Sequence, residues 1–263
     1  MSSRSRIKLT TMATGRCSCC EAQTARVRTT STSATDLQRR ARQQSAPDPR
    51  LLERFMTKQQ QGPLKQVTLL TPGQSSEAIY DEWASDYELD LNDEYGYIAP
   101  QLGVDALVAV LPDRNARVMD FGCGTGLVGA ELHGRGFTRI DGSDYSAGML
   151  EVATKKGVYE QLIRCDLTKP LSLEDAVYDA GVSVGMFGNG HVTASAIPAL
   201  LRVLKRGAPL VIYCNDLIYS GGDFAKVFAD YERDGFWQVL KSEPSNYMSA
   251  LKRPGWAITT RRC

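Results

Sequence analysis

"DFGCGTGLVG", residues 120–129, carries two overlapping glycine patterns. Counted from Gly122 it spells G-x-G-x-G; counted from Gly124 it spells G-x-G-x-x-G. The short apolar stretch "RVMDFG" at 117–122 predicts a strand running into the glycines, and the residues from about 126 to 134 predict a helix leaving them. Missing side chains at such a junction let the backbone turn sharply and approach a ligand, while the helix N-terminus offers unpaired N–H groups. The stretch therefore reads as the nucleotide-binding turn of an α/β fold.

Working outward, the same alternation continues. Strands are expected in "FTRIDGSD", near "YEQLIRCDL", in "YDAGVSVGMF" and in "PLVIYC", separated by helices at about 146–157 and 192–205. A helix at about 223–235 and two strand-like pieces, "WQVLKSEP" and "WAITTRR", follow. Strands alternating with helices of this size predict a parallel sheet covered on both faces. Ahead of the loop, "SSEAIYDEWASDYELDL" places Ile79, Trp83 and Tyr87 at four-residue spacing behind a possible N-cap at Ser75 or Ser76, one face of a helix.

Three acids bear on the ligand. Asp144 closes the second predicted strand, twenty residues beyond Gly124, where a carboxylate can accept both ribose hydroxyls of an adenosine. That position serves S-adenosylmethionine and nicotinamide dinucleotides alike. Asp120 lies just before the glycines, where a carboxylate suits a ligand with ammonium and sulfonium charges and repels a pyrophosphate. Asp166 follows the third predicted strand, placed to accept from an adenine amino group with the Leu167 backbone beside it. Ordinary structural roles for Asp120, as a loop cap, and for Asp166, as a turn residue, are the alternatives.

Composition sets the frame. The 263 residues can bury a real core, and no stretch has the roughly 18 apolar residues of a membrane span. Residues 1–75 hold 13 Lys and Arg against 4 acids, while the rest holds 18 against 26. An acidic body argues against a broad nucleic-acid surface. Residues 1–70 are rich in Ser, Thr, Arg and Gln and are read as a disordered basic tail with the flavour of a transit peptide; residues 71–263 are read as the folded domain. Of the seven cysteines, Cys123, Cys165, Cys214 and Cys263 are scattered at no disulfide-like rhythm, which indicates a reducing compartment, and "CSCC" at Cys17, Cys19 and Cys20 lacks a second ligand cluster, so no metal is expected. Cytoplasmic residence follows, with a mitochondrion or plastid as the alternative if the tail directs import.

"VMDFGCGTG", "IDGSDYSAGMLEVA" and "LKRGAPLVIY" resemble the first motif, the second motif and the segment entering the fifth strand of class I, seven-strand, S-adenosylmethionine-dependent methyltransferases. More narrowly, "YDEWASDYELDLNDEYGYIAP", "CGTGLVGAEL" and "FGNGHV" are similar to the methyltransferase-like proteins first named from the Williams–Beuren syndrome chromosomal region. The resemblance implies a Rossmann-like, doubly wound, seven-stranded, mostly parallel sheet with a reversed last strand. It implies that Asp120, Gly122, Gly124 and Gly126, with Cys123 among them, hold the methionyl part. Asp144 would hold the ribose, Asp166 and Leu167 the adenine, with Tyr145 also binding the cofactor, and Met149 would cover the ring or else pack in the core. Tyr80, Trp83 and Tyr87 would form a lid, their aromatic faces suiting a sulfonium. Ala208 departs from the family, which usually has a second glycine after Gly207.

Methyl transfer is an in-line displacement, so positioning carries most of the catalysis. Where the acceptor must lose a proton, His191 in "FGNGHV" is the candidate base, with Asn189 lining the acceptor pocket. That segment lacks the Asn/Asp-Pro-Pro-aromatic signature of many nucleic-acid methyltransferases, so a small-molecule acceptor is expected, without a membrane or nucleic-acid partner; the sequence says nothing of oligomeric state. An NAD(P)-dependent oxidoreductase, read from Gly124, Gly126 and Gly129, and a non-catalytic cofactor-binding module are the rival readings.

Overall fold

The computed structural model describes residues 62–70, 74–91, 95–188, 192–221, 224–249 and 252–263, all within one compact unit spanning Ser45–Cys263. Its centre is a seven-stranded sheet of β1 (Val118–Phe121), β2 (Ile140–Asp144), β3 (Gln161–Arg164), β4 (Ala180–Val184), β5 (Pro209–Asn215), β6 (Trp237–Met248) and β7 (Arg253–Arg262). The spatial order is β3-β2-β1-β4-β5-β7-β6. Neighbours from β3 to β5 are parallel, and β7 runs antiparallel to both β5 and β6. This is the doubly wound sheet with a reversed last strand that the sequence led one to expect.

Period-two alternation sorts the strand residues between two cores. Met119, Phe121, Leu210 and Ile212 face one, where helix α7 (Ile197–Val203) contributes Ile197, Leu200 and Leu201 and helix α9 (Phe224–Arg233) contributes Phe224 and Phe228. Val118, Val182, Val211 and Tyr213 face the other, packed by Val104 and Leu107 of α4 (Ala99–Val108) and Val128 and Leu132 of α5 (Leu127–Gly134). Helix α6 (Ala147–Lys156) lies beyond β2, capped by the Ser146 hydroxyl, which accepts the Met149 N–H at 3.0 Å, and closed by Gly157 in the left-handed region. At Ala208, Gly207 alone supplies the positive φ of 79° that the turn into β5 requires.

The predicted opening helix is two pieces. Helix α2 (Glu77–Trp83) ends in a turn, and α3 (Tyr87–Leu89) follows. Across the break the buried Trp83 donates its indole N–H to Asp90 at 2.7 Å, a bond that four-residue periodicity does not reveal. Two helices were not anticipated: α8 (Asp216–Gly221), which leaves β5 directly, and α1 (Pro63–Thr68), with Val67 buried. The second falls inside the stretch read as tail; residues 1–61, including Cys17, Cys19 and Cys20, lie outside the described residues.

Candidate active site

The strand order reverses between β1 and β4, and a crevice at the carboxyl ends of strands flanking such a reversal is where open α/β sheets bind ligands. A cleft of about 520 Å³ opens there. Gly122, Gly124, Asp144, Tyr145, Met149, Asp166 and Leu167 line it, bringing together seven residues expected from sequence. Gly122 and Gly124 have φ of 70° and 53°, and a Cβ on Gly124 would meet nothing within 4 Å, so the loop presents bare backbone to the cleft. Cys123 and Gly126 are not among the lining residues. Cys123 is buried, and Gly126 makes room for Tyr159 and Lys156, which a Cβ would approach to 3.1 and 3.2 Å.

Asp144 braces the loop. Its Oδ2 accepts the Gly124 N–H and its Oδ1 the Ser146 N–H, both at 2.9 Å. Burial pushes its carboxyl up, opposed by these backbone bonds. Asp120 lies beneath the glycines, fully buried and absent from the cleft wall. The Tyr159 hydroxyl donates to its Oδ2 at 2.8 Å and accepts the Gly129 N–H at 3.2 Å, while Oδ1 has no partner. Burial, with Asp144 nearby, pushes the Asp120 carboxyl up to about 7 against the Tyr159 bond. Gly129 serves this same arrangement: a Cβ there would stand 2.2 Å from the Tyr159 ring. Tyr159 precedes β3 in a segment without a motif, and sequence reasoning missed it.

Asp166 accepts the Thr168 N–H at 2.9 Å and pairs with Lys169 at 3.1 Å, the turn role that was the alternative for it. The carboxylate still lines the cleft, held below its ordinary pKa because Thr168 and Lys169 outweigh its desolvation.

Helix α2 is latched over this floor. The Asp81 carboxylate accepts the Ser146 hydroxyl and, at 3.0 Å, the Gly148 N–H at the start of α6. Gly148 has no side chain to hold the helices apart; a Cβ would stand 2.9 Å from the Asp81 carbonyl oxygen. Ion pairs Glu77–Arg164 and Glu88–Lys156, each at 2.8 Å, fasten both pieces of the opening segment. A glycine inside the helix-forming "SAGML" was the available signal for this approach. Tyr80 and Tyr87 line the cleft, as a lid would, whereas Trp83 does not. Its ring packs behind them, with centroids 6.1 Å from Tyr80 and 4.7 Å from Tyr87. The Trp83 indole is buried in the core and bonded to Asp90. Asn189 and His191 lie outside the described residues; Gly188, Val192 and Thr193, which flank them, line the cleft.

A second cavity of about 170 Å³ adjoins the first and shares Tyr80, Tyr87, Gly185 and Gly188 with it. Tyr97, Tyr213, Tyr247 and Arg253 form much of its wall, and α1 contributes Leu64 and Val67. These residues come from segments far apart in the chain, with no motif to connect them.

Among the described residues, Glu77, Asp144 and Asp166 are the charged residues lining the larger cleft, and no Lys or Arg lines it. A pyrophosphate would find no cation there, and the Gly124 N–H it needs is already given to Asp144. An adenosine bearing sulfonium and ammonium charges fits the glycine backbone, the Asp144 carboxylate and the buried Met149 and Leu167.

Residues 118–207 match the family model described as a methyltransferase domain. The human methyltransferase-like protein 27 is 44% identical over 132 residues, covering 49% of this chain and 53% of that protein. The chain thus spans about half the length of that curated relative. Among solved structures, the [4+2]-cyclase SpnF is similar with a TM-score of 0.57 and 16% identity, covering 73% of this chain and 97% of that one. A TehB-like SAM-dependent methyltransferase from Corynebacterium glutamicum gives 0.52 and 18%, covering 71% and 99%. These structural likenesses establish the class I methyltransferase fold alone, and a cyclase among them shows that the fold hosts more than one reaction. Residues 118–207 are thus similar to a methyltransferase domain, and they lie within a sheet of that fold.

Proposed function

We propose that the chain is an S-adenosylmethionine-dependent methyltransferase acting on a small molecule, within the narrower family first named from the Williams–Beuren region. The observation that carries the reading is the cleft whose charged lining, among the described residues, is carboxylate only. The family match and the identity with the human relative support it, and they favour neither an oxidoreductase nor a binding module without catalysis. Bound in the cleft, S-adenosylmethionine would supply an electrophilic methyl to an acceptor lone pair, its sulfur keeping the electrons of the carbon–sulfur bond.

The protein's share is positioning and exclusion of water. Gly122 and Gly124 admit the methionyl end, and Asp120 acts from below through the loop it braces, alongside Gly126 and Cys123, which shape that loop. Asp144 with Tyr145 takes the ribose, and Asp166, Leu167 and Met149 surround the adenine. Tyr80 and Tyr87 close over the sulfonium with Trp83 stiffening them from behind. Asn189 and His191 are our candidates for meeting the acceptor, with His191 to take a proton where the acceptor has one to lose. Among the described residues no helix is long and apolar enough to cross a membrane. We place the protein in the cytoplasm, in keeping with free Cys123, Cys165, Cys214 and Cys263, or in an organelle if its basic tail directs import.

Titration calorimetry of the full chain tests the reading. S-adenosylmethionine and S-adenosylhomocysteine are expected to bind and NAD not to, and Asp144→Ala is expected to weaken both by at least about tenfold, the loss of a charge-assisted pair of hydrogen bonds. Preference for NAD would overturn the assignment.

A further inference from the structure

Three glycines make one berth: a Cβ on Gly126, Gly129 or Gly142 would stand 3.1, 2.2 or 2.9 Å from the Tyr159 ring. Gly126 and Gly129 belong to the start of α5, and Gly142 lies on β2 opposite Asp120. The ring is therefore lodged between helix and sheet, beside that acid.

Its hydroxyl joins the two. Gly126 is the N-cap of α5 and has no side chain to bond the first turn. The Tyr159 hydroxyl supplies that bond from another segment, accepting the N–H of Gly129, the third residue of the helix, at 3.2 Å, as a capping Ser or Asp would. It donates in turn to Asp120 Oδ2 at 2.8 Å, and a hydrogen bond received strengthens the one given. One hydroxyl thus ties the helix behind the glycine loop to the buried carboxylate beneath it.

A bond donated to a carboxylate favours its charged form, which burial opposes. Among the described residues, the Tyr159 hydroxyl and the Gly129 N–H act in that direction on Asp120, while Asp144 at the end of β2 acts against it. The Cys123 thiol of the loop is kept protonated by burial. Gly142 and Val182, its partners on β2 and β4, bring no charge, and Lys156 of α6, beside Gly126, gives its ammonium to Glu88 at 2.8 Å. A negative charge beneath Gly122 and Gly124 attracts the sulfonium and ammonium of a methyl donor, and a neutral carboxyl does not.

We infer that Tyr159 is a positioning residue for the methyl donor: its hydroxyl, bonded to Asp120 and to the first turn of α5, holds that acid's negative charge beneath the glycine loop, where it attracts the cationic donor. This rests on the methyl-donor reading of the cleft. Titration calorimetry of the full chain with S-adenosylmethionine at pH 5.5 and pH 8 separates the two. No binding by the unaltered chain overturns the donor reading and this inference with it.

With the Asp120 carboxyl pushed up to about 7, it is protonated at pH 5.5 and ionised at pH 8 in the unaltered chain. Loss of the hydroxyl bond raises it further, so Tyr159→Phe keeps a larger share protonated at pH 8. The variant should bind at least about threefold more weakly at pH 8 and within about 1.5-fold at pH 5.5. The donor's own titration is common to both proteins and cancels. A loss no larger at pH 8 than at pH 5.5 overturns the inference while the donor reading stands, since a merely structural role weakens binding alike at both. In an Asp120→Asn background the pH-dependent part should vanish, and its persistence also overturns the inference. If Tyr159→Phe does not fold, NMR of the unaltered chain isotope-labelled at tyrosine Cζ decides. One Cζ resonance should titrate with a midpoint near pH 7, be flat in Asp120→Asn, and titrate at lower pH once S-adenosylmethionine is bound. No such resonance, or a midpoint that the donor does not lower, overturns the inference.

Discussion

Asp120 holds its proton to about pH 7 because it is buried, with one oxygen bonded by Tyr159 and the other without a partner. In the unfolded chain an aspartate titrates near pH 3.9. Between about pH 4 and pH 7 the folded state thus binds more protons than the unfolded one, and stability falls as pH rises through that window. Asp120→Asn keeps an acceptor for the Tyr159 hydroxyl and removes the titration. Urea melts should show the variant's stability changing less between pH 5 and pH 8, leaving it ahead at pH 8 by about 2 kcal/mol; parallel pH profiles would count against this account. Asp120 was legible in the sequence as the acid before the glycines, and its ligand preference could be argued from charge. What could not be read was Tyr159, thirty-nine residues away, which turns that acid from a wall of the cleft into the support of its floor.

At the scale of elements, the hinge of the site is the contact between α2 and α6. Gly148 permits it, since a Cβ would stand 2.9 Å from backbone that cannot rotate aside. Gly148→Ala should lift α2, and with it Tyr80, from the cleft. Calorimetry should find S-adenosylhomocysteine bound about tenfold more weakly, the equivalent of ~1.4 kcal/mol, at little cost to the fold; unchanged affinity would show that α2 takes no part in holding the ligand. The face carrying Ile79, Trp83 and Tyr87 was readable from periodicity, because burial of one stripe leaves that trace. The break between α2 and α3 was not, since the Trp83 bond to Asp90 that accompanies it leaves no trace in the apolar pattern. Helix α8 escaped for a similar reason: the Asn215 side chain accepts the Ile218 N–H at 3.0 Å and Asp216 accepts the Trp256 indole, so its anchors lie outside any periodic stripe.

For the molecule as a whole, the alternation of strand and helix predicted the layers, and the glycine loop located the reversal in strand order around which the cleft forms. The reversed strand came from the resemblance rather than from any local signal. Helix α1 was hidden because its surroundings are polar and its few apolar residues find their partners only in the folded protein. Val67 is 4% exposed and walls the smaller cavity. Val67→Asp would place a carboxylate there, and it should lower thermal stability by several degrees, as unpaired buried charges do. S-adenosylhomocysteine binding to the folded variant should stay within about twofold; a larger fall would mean that the cavities are one compartment. Trp83, finally, lies against both tyrosines that the two cavities share. A guest that tilts either ring alters the polarity and quenching around that indole. The protein therefore carries its own fluorescent gauge of occupancy, one that needs no label to follow filling in real time.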